Sequence, residues 1–337
     1  MSQKILVTLG PSSLREDVIK KCESQGIYVF RINLSHTPLE QVAPTILKIK
    51  QWTDVPICLD SEGAQLRNQN MISENTDFTE GTTVKIHFSP VIGDADNISF
   101  SPLDVARQFV VGDLISIDFN DVKLAVESVG EDHCMARVAV AGTIGSNKAA
   151  DVQRDLILDP LTEKDREAIK IGRNMGINHF ALSFTNCRQD VEVMRDLCGQ
   201  DASIICKIES PSGLINLEDI LGAADEILID RGDLSRKVPI EKIPFIQRRI
   251  ISIARSHSTP VYVATNLLES MIVRNAPTRA ELNDVVSTIL MGSNGLVLAA
   301  ETAIGKHPVQ AVEMVRRLIK ETEKWTSNTS IAEIMRA

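Results

Sequence analysis

The 337-residue chain has no apolar run approaching the roughly 18 residues that a membrane span needs. Its six cysteines (Cys22, Cys58, Cys134, Cys187, Cys198 and Cys206) show no Cys-x-x-Cys spacing, which removes the common zinc signatures and leaves buried free thiols as the expectation. Base is not in excess: 36 Lys and Arg face 45 Asp and Glu, a formal net charge of −9, which excludes a sequence-independent grip on nucleic acid. The glycines around Gly63 and Gly213 form neither a Walker nor a dinucleotide fingerprint, and no low-complexity linker interrupts the chain. The start, Met1-Ser2-Gln3-Lys4 running into "ILVTLG", lacks the apolar core and cleavage site of a secretory signal, so the expected location is cytoplasmic.

What is present is a repeating alternation. Short runs rich in Val and Ile recur at 4–9, 28–34, 57–61, 179–184, 203–209, 226–231, 260–265 and 295–300, apolar on both faces as strands of a buried parallel sheet are. Amphipathic stretches separate them, several opened by a Ser/Thr-x-x-acid pattern: Ser13 with Glu16, Thr162 with Asp165, Thr278 with Glu281. Strands alternating with helices in this number predict an α/β fold, a (β/α)₈ TIM barrel, closed by the helical stretch "HPVQAVEMVRRLIKETEKW". The spacing fails once, after the third strand, where 69–148 turns to short alternating runs such as "TTVKIHF" and "MARVAVAG". This predicts a small antiparallel β-rich domain inserted between barrel segments 1–68 and 149–337, on the face where barrels carry their sites and where it would act as a lid.

Polar residues gather at the ends of the predicted strands: Arg31, Asn33 and Ser35; Asp60 and Ser61; Lys207 and Glu209; Arg231 and Asp233; Thr265; Glu301. Lys207 and Glu209 are two apart in one strand, so they project from one face. Inward-facing charges of this kind either pair off as a salt-bridged layer or serve a ligand. Glu209 and Asp233 are hard oxygen ligands suited to Mg²⁺, and Lys207 and Arg31 are suited to stabilising a phosphoryl group. His87, His133, His179, His257 and His307 have no ligand spacing and read as surface or satisfied core.

The segments "KILVTLGPSS", "FRINLSH", "CLDSEGAQLR", "CKIES", "DRGDLS", "PVYVATNLLESMI", "PTRAELNDV" and "AAETAIGKHPVQAV" resemble, in the same order, the motif series of pyruvate kinase. The resemblance implies a barrel with an inserted B domain, and the C-terminal regulatory domain of that family has no counterpart here. It further implies that Glu209 and Asp233 hold the divalent ion, Mg²⁺ or Mn²⁺, and that Lys207 and Arg31, supported by Arg67, contact the transferred phosphoryl group. The Arg231-Gly232-Asp233 loop would offer backbone N–H groups to the carboxylate of phosphoenolpyruvate, Thr265 would lie near the carbon that is protonated, and Asn33, Ser35, Asp60 and Ser61 would hold K⁺. His36 and Lys148 match nucleotide-contacting positions, and either Asp118 or Phe119 matches a lid residue facing the metal.

Departures from the family pattern concentrate on the nucleotide side. Glu62 stands where a basic residue is usual, Gln65 where Glu or Lys is usual, and Thr37 replaces a glycine. Gln41 replaces an aromatic, Ala299 a serine, Ile304 a basic residue, and Ser235-Arg236-Lys237 replaces "GVE". Three functions remain open at this level: phosphoryl transfer between phosphoenolpyruvate and ADP; related chemistry on a phosphorylated or keto acid with an acceptor other than ADP; and a non-catalytic relative. The partners expected are small molecules, with no nucleic acid or membrane and with homo-oligomers allowed.

Overall fold

Eight strands form a closed parallel barrel: β1 (Lys4–Leu9), β2 (Val29–Asn33), β3 (Ile57–Asp60), β4 (His179–Leu182), β5 (Ser203–Ile208), β6 (Glu226–Asp230), β7 (Val261–Ala264) and β8 (Gly295–Leu298). Each pairs with its neighbours in sequence order, and β8 closes onto β1 through the register Lys4↔Gly295 to Val7↔Leu298. The computed structural model describes residues 3–63, 65–118, 121–154, 156–325 and 328–336. The chain divides into two units, Met1–Gly63 with Pro160–Ala337, and Ala64–Asp159.

Alternation along the strands sorts the side chains into layers. Leu6, Val29, Cys58, Ala181, Ile205 and Leu228 belong to one buried cluster inside the barrel, while their chain neighbours, such as Ile5, Phe30, Leu59 and Ile204, join the core beneath the surrounding helices. Two residues further along β2, β3, β5 and β6 come Arg31, Asp60, Lys207 and Asp230, a polar layer above the apolar one. Two residues before it come Lys4, His179 and Glu226, where Lys4 Nζ lies 2.9 Å from Glu226 Oε1 and Tyr262 OH donates to the same oxygen at 2.7 Å. The barrel is therefore dry in its middle and charged at both ends.

Two of the expected helix starts are capping boxes: Thr162 with Asp165 opens Glu163–Asn174, and Thr278 with Glu281 opens Arg279–Leu290. Ser13 and Glu16 are not one. Helix Glu16–Glu23 has Arg15 at its N-cap without a side-chain bond, because the Ser13 hydroxyl is engaged earlier, accepting from the Gly10 N–H at 3.1 Å. The closing stretch is helix Pro308–Lys324, which buries Ala311, Val312, Val315 and Ile319.

The second unit is a seven-stranded sheet with a separate two-stranded ribbon, built around its own core, which includes Val84, Ile86, Phe100, Ile115 and Leu124. It extends past 69–148 at both ends, because Arg67–Asn68 pairs with Phe100 and Ser101, and Ala150–Val152 with Ile115–Ile117. Among the described strands pairing is antiparallel except between Thr83–His87 and Asn97–Ser101, which run parallel, and an isolated bridge between Met71 and Gly93 is parallel as well.

Among the described residues no helix is long and apolar enough to cross a membrane. All six cysteines are free thiols; five are buried and Cys187 is partly exposed.

Candidate active site at the carboxyl ends of the barrel strands

Lys207 follows Ile205 on the inward face of β5 and Glu209 comes directly after the strand ends, so the chain carries them from the apolar layer up to the mouth. Both are almost fully buried, and Lys207 Nζ lies 2.9 Å from Glu209 Oε1. Lys207 also donates to Ser183 Oγ at 2.9 Å and stands 3.5 Å from Asp60 Oδ1. Asp60 in turn faces Arg31, with Oδ2 3.4 Å from the guanidinium Nε. Arg31 is 5% exposed, and its Nε and Nη1 have no hydrogen-bond partner among the described residues. A buried guanidinium with open donors is costly unless an anion completes it.

Across the mouth, ligand oxygens of Glu209, Asp230 and Asp233 lie within 4.8 Å of one another. Asp230 closes β6 and caps the short helix Arg231–Lys237. Among the described residues, the hydrogen bonds to its carboxylate fall on Oδ1, which accepts from Gly232 N at 3.1 Å, Asp233 N at 3.4 Å and the Thr265 hydroxyl at 2.6 Å. The other oxygen of Glu209, Oε2, accepts from the Phe184 N–H at 2.7 Å. Thr265 sits at φ +74°, an outlier for a β-branched residue, and is clamped by Asp230 at its hydroxyl and by Arg231 Nε at its carbonyl, 3.0 Å away.

The electrostatics follow from burial and from four neighbouring carboxylates sharing one ammonium. Burial opposes the charge on Lys207, but Asp60 and Glu209 outweigh it and hold the amine above the usual lysine range. Burial, opposed by Lys207 and reinforced by Asp230 and Asp233, pushes the Glu209 carboxyl up to about 7. Asp233 is raised as well, by burial and then by Asp230. Asp230 goes the other way: burial is outweighed by Lys207 and the Thr265 hydroxyl, and its carboxyl is lowered. The mouth formally holds the cations Arg31 and Lys207, with Arg236 3.3 Å from Asp233, against the carboxylates Asp60, Glu209, Asp230 and Asp233. That negative excess, on hard oxygen donors, suits a divalent cation such as Mg²⁺ or Mn²⁺.

Other residues singled out in the sequence have different surroundings. Asn33 Oδ1 accepts from Ser35 N at 2.9 Å, Ser61 Oγ accepts from Ser183 N at 2.9 Å, and Asp60 faces Arg31 and Lys207, so three of the four suggested K⁺ ligands already carry protein contacts. The Arg231 side chain is committed to Thr265 O and to Asp284 Oδ2, the latter at 2.7 Å, which makes it a brace for the loop. Glu301, buried at 2% exposure, accepts from the backbone N–H groups of Leu268 and Ala299 and so anchors loops after β7 and β8. Glu62 pairs with Lys164 at 3.5 Å, and its loop is pinned by Asp165, which accepts from Glu62 N and Gly63 N. His36 ends a single 3₁₀ turn, Leu34–His36, just beyond β2.

In the second unit, Arg67 donates to Asn147 O and Gln65 Oε1, both at 3.0 Å, and Lys148 pairs with Asp118 at 2.8 Å. Phe119, the other candidate at that position, lies outside the described residues, as does Ala64.

The sequence reading missed Asp230 and Ser183. Both obeyed the rule that found the others, a polar residue on the inward face where a strand ends, two positions past an interior apolar residue.

Such a mouth, on a closed parallel barrel whose third strand is followed by an inserted β unit, defines a class by its fold: barrel proteins that carry a cluster of carboxylates and bases at the carboxyl ends of the strands. The family model for the pyruvate kinase barrel domain matches residues 1–312. Pyruvate kinase of Mycobacterium tuberculosis is 34% identical over 330 residues, covering 95% of this chain and 70% of that protein. The Thermotoga maritima enzyme is 34% identical over 332 residues, covering 96% and 71%. A crystal structure of a pyruvate kinase from Cryptosporidium parvum superimposes with a TM-score of 0.86 at 29% identity, over 97% of this chain and 70% of that one. The chain belongs to the pyruvate kinase family and is a phosphotransferase of that type.

Proposed function

We propose that this enzyme catalyses divalent-cation-assisted phosphoryl transfer at the barrel mouth, with phosphoenolpyruvate and ADP, the pair implied by the family, as the reference substrates. In that reaction the bond between phosphorus and the enol oxygen breaks, a bond to the terminal phosphate oxygen of ADP forms, and the enolate takes up a proton on carbon to give pyruvate. The observation that carries the reading is the convergence of Lys207 and Arg31 with the oxygens of Glu209 and Asp233 from the ends of separate strands. Transfer of this kind is catalysed chiefly by positioning and by electrostatic stabilisation of the phosphoryl oxygens. The carboxylates would hold Mg²⁺ or Mn²⁺, which would supply Lewis-acid stabilisation of those oxygens when bound. Lys207 and Arg31 would face the phosphoryl group, with Arg67 supporting from the second unit, and Thr265 would orient the enol carbon. His36 and Lys148 would serve the nucleotide, and Asn33, Ser35, Asp60 and Ser61 a K⁺ ion. The second unit would act as the lid, and the expected compartment is the cytoplasm.

A second reading keeps the phosphoryl chemistry and changes a substrate. It is favoured by the capture of the Gly232 and Asp233 N–H groups by Asp230, since these were the groups expected to receive the carboxylate of phosphoenolpyruvate. Glu62, Gln41, Ala299 and Ile304 add departures on the nucleotide side. The test is a coupled assay for pyruvate with phosphoenolpyruvate, ADP, Mg²⁺ and K⁺. Metal-dependent turnover lost in Glu209→Gln supports the reference pair; no turnover by a protein that still binds Mn²⁺ supports the second reading. Absence of divalent-cation binding would sink both.

A further inference from the structure

We infer that Asp230 is a built-in carboxylate standing where a substrate carboxylate would otherwise sit, so that the preferred small substrate brings a phosphoryl group but no carboxylate to that position. This rests on the second reading above, phosphoryl transfer at this mouth with a substrate other than phosphoenolpyruvate, and it narrows the substrate class of that site.

Three donors from two loops, Gly232 N, Asp233 N and Thr265 Oγ1, converge on Oδ1 of one side chain. The place is tight: a Cβ at Gly232 would lie 2.7 Å from Thr265 Cγ2 and 3.3 Å from Asp230 Oδ1. A carboxylate arriving with a substrate would have to displace Asp230 from all three donors. Asp230 also reaches the metal-ligand group, within 4.8 Å of the oxygens of Glu209 and Asp233. A side chain that caps the donors and faces the cation position fills both ends of a carboxylate subsite.

Charge points the same way. With a divalent cation bound, and with Arg236 counted beside its partner Asp233, Asp230 lowers the formal charge of the mouth by one unit. A site one unit less positive favours a ligand with one negative charge fewer. The phosphoryl-facing side is untouched: Arg31, 5% exposed, keeps Nε and Nη1 without a hydrogen-bond partner among the described residues. The geometry selects a small phosphorylated enol or keto compound whose carboxyl group is missing, esterified or amidated.

The test is calorimetric titration of oxalate, a dianion that offers carboxylate oxygens to a bound metal, into the Mn²⁺-loaded full chain. Asp230→Ala opens the subsite and removes the charge, and it is expected to bind oxalate at least about tenfold tighter than the unmodified protein, the scale of one unit charge in a partly dry site. Asp230→Asn still fills the subsite and should gain less. Thermal melts check folding, and Asp230→Gly substitutes if Asp230→Ala is unstable. Oxalate binding in the unmodified protein equal to that of the opened variant, or an equal gain in Asp230→Asn, overturns the inference while leaving phosphoryl transfer standing. Failure of Mn²⁺ to bind the unmodified protein removes the phosphoryl-transfer reading itself, and the inference with it.

Discussion

Lys207 and Glu209 leave successive inward positions of one strand and meet with Nζ 2.9 Å from Oε1, yet this ion pair is not self-contained. Lys207 is shared with Asp60 and Ser183, and Glu209 is crowded by Asp230 and Asp233. A private pair would have placed both pKa values in the directions that favour charge. Here the lysine is raised, and the glutamate is raised too, by burial first and then by the neighbouring Asp230 and Asp233.

Removing the ammonium should therefore harm both folding and chemistry. Lys207→Met leaves Asp60 and Glu209 buried without their shared cation and is expected to cost about 3 kcal/mol in denaturant unfolding. Its phosphoryl-transfer rate, measured on the folded fraction, should fall by about 10²- to 10³-fold. Wild-type turnover in this variant would remove Lys207 from the mechanism.

Divalent cation should stabilise the native state by mass action, since only the folded chain assembles Glu209, Asp230 and Asp233. At a Mn²⁺ concentration a hundredfold above Kd the gain is about 2.7 kcal/mol, read as a rise in Tm. Glu209→Gln should abolish most of that rise. An undiminished rise would place the ion elsewhere.

The pH dependence of the metal-free protein has a defined sign. Burial raises the Glu209 carboxyl from its ordinary value of 4.5 to about 7, so across that window the folded chain retains a proton that the unfolded chain has released. Stability from this group is full below the lower value and declines as pH rises through the upper one. Unfolding free energy should therefore slope downward across that range without metal, and Glu209→Gln should flatten the slope. The same proton should be released on Mn²⁺ binding, detectable as a buffer-dependent heat.

At the opposite end of the barrel the charged layer should matter for stability alone. The Tyr262 hydroxyl donates to Glu226 at 2.7 Å and accepts from Lys4 at 2.9 Å. Tyr262→Phe leaves Glu226 and Lys4 with one partner fewer and should cost about 1–3 kcal/mol with kcat and KM unchanged. A change in KM would mean that the two ends of the barrel are coupled.

Much of the fold was legible because strands buried on both faces betray themselves locally, and each of the eight runs of Val and Ile is a barrel strand. Helix starts were legible only where the capping residue had no competing partner: Thr162 and Thr278 cap, whereas Ser13 turns to Gly10. The spacing of two between Lys207 and Glu209 likewise assured that they share a face.

What the chain order could not decide was which strand ends meet and what each polar group finds there. Asp60, Lys207 and Asp230 are distant in sequence, and their meeting depends on barrel closure and strand register. Sequence determined the alternation, the inward faces and the supply of carboxylates and bases, because these depend on local backbone geometry. The tertiary structure alone decided that Arg231 braces a loop, that Glu301 anchors one, and that Asp230 takes the donors at Gly232, Asp233 and Thr265, because a hydrogen bond is settled by angstrom-scale competition among groups that only the closed barrel brings together.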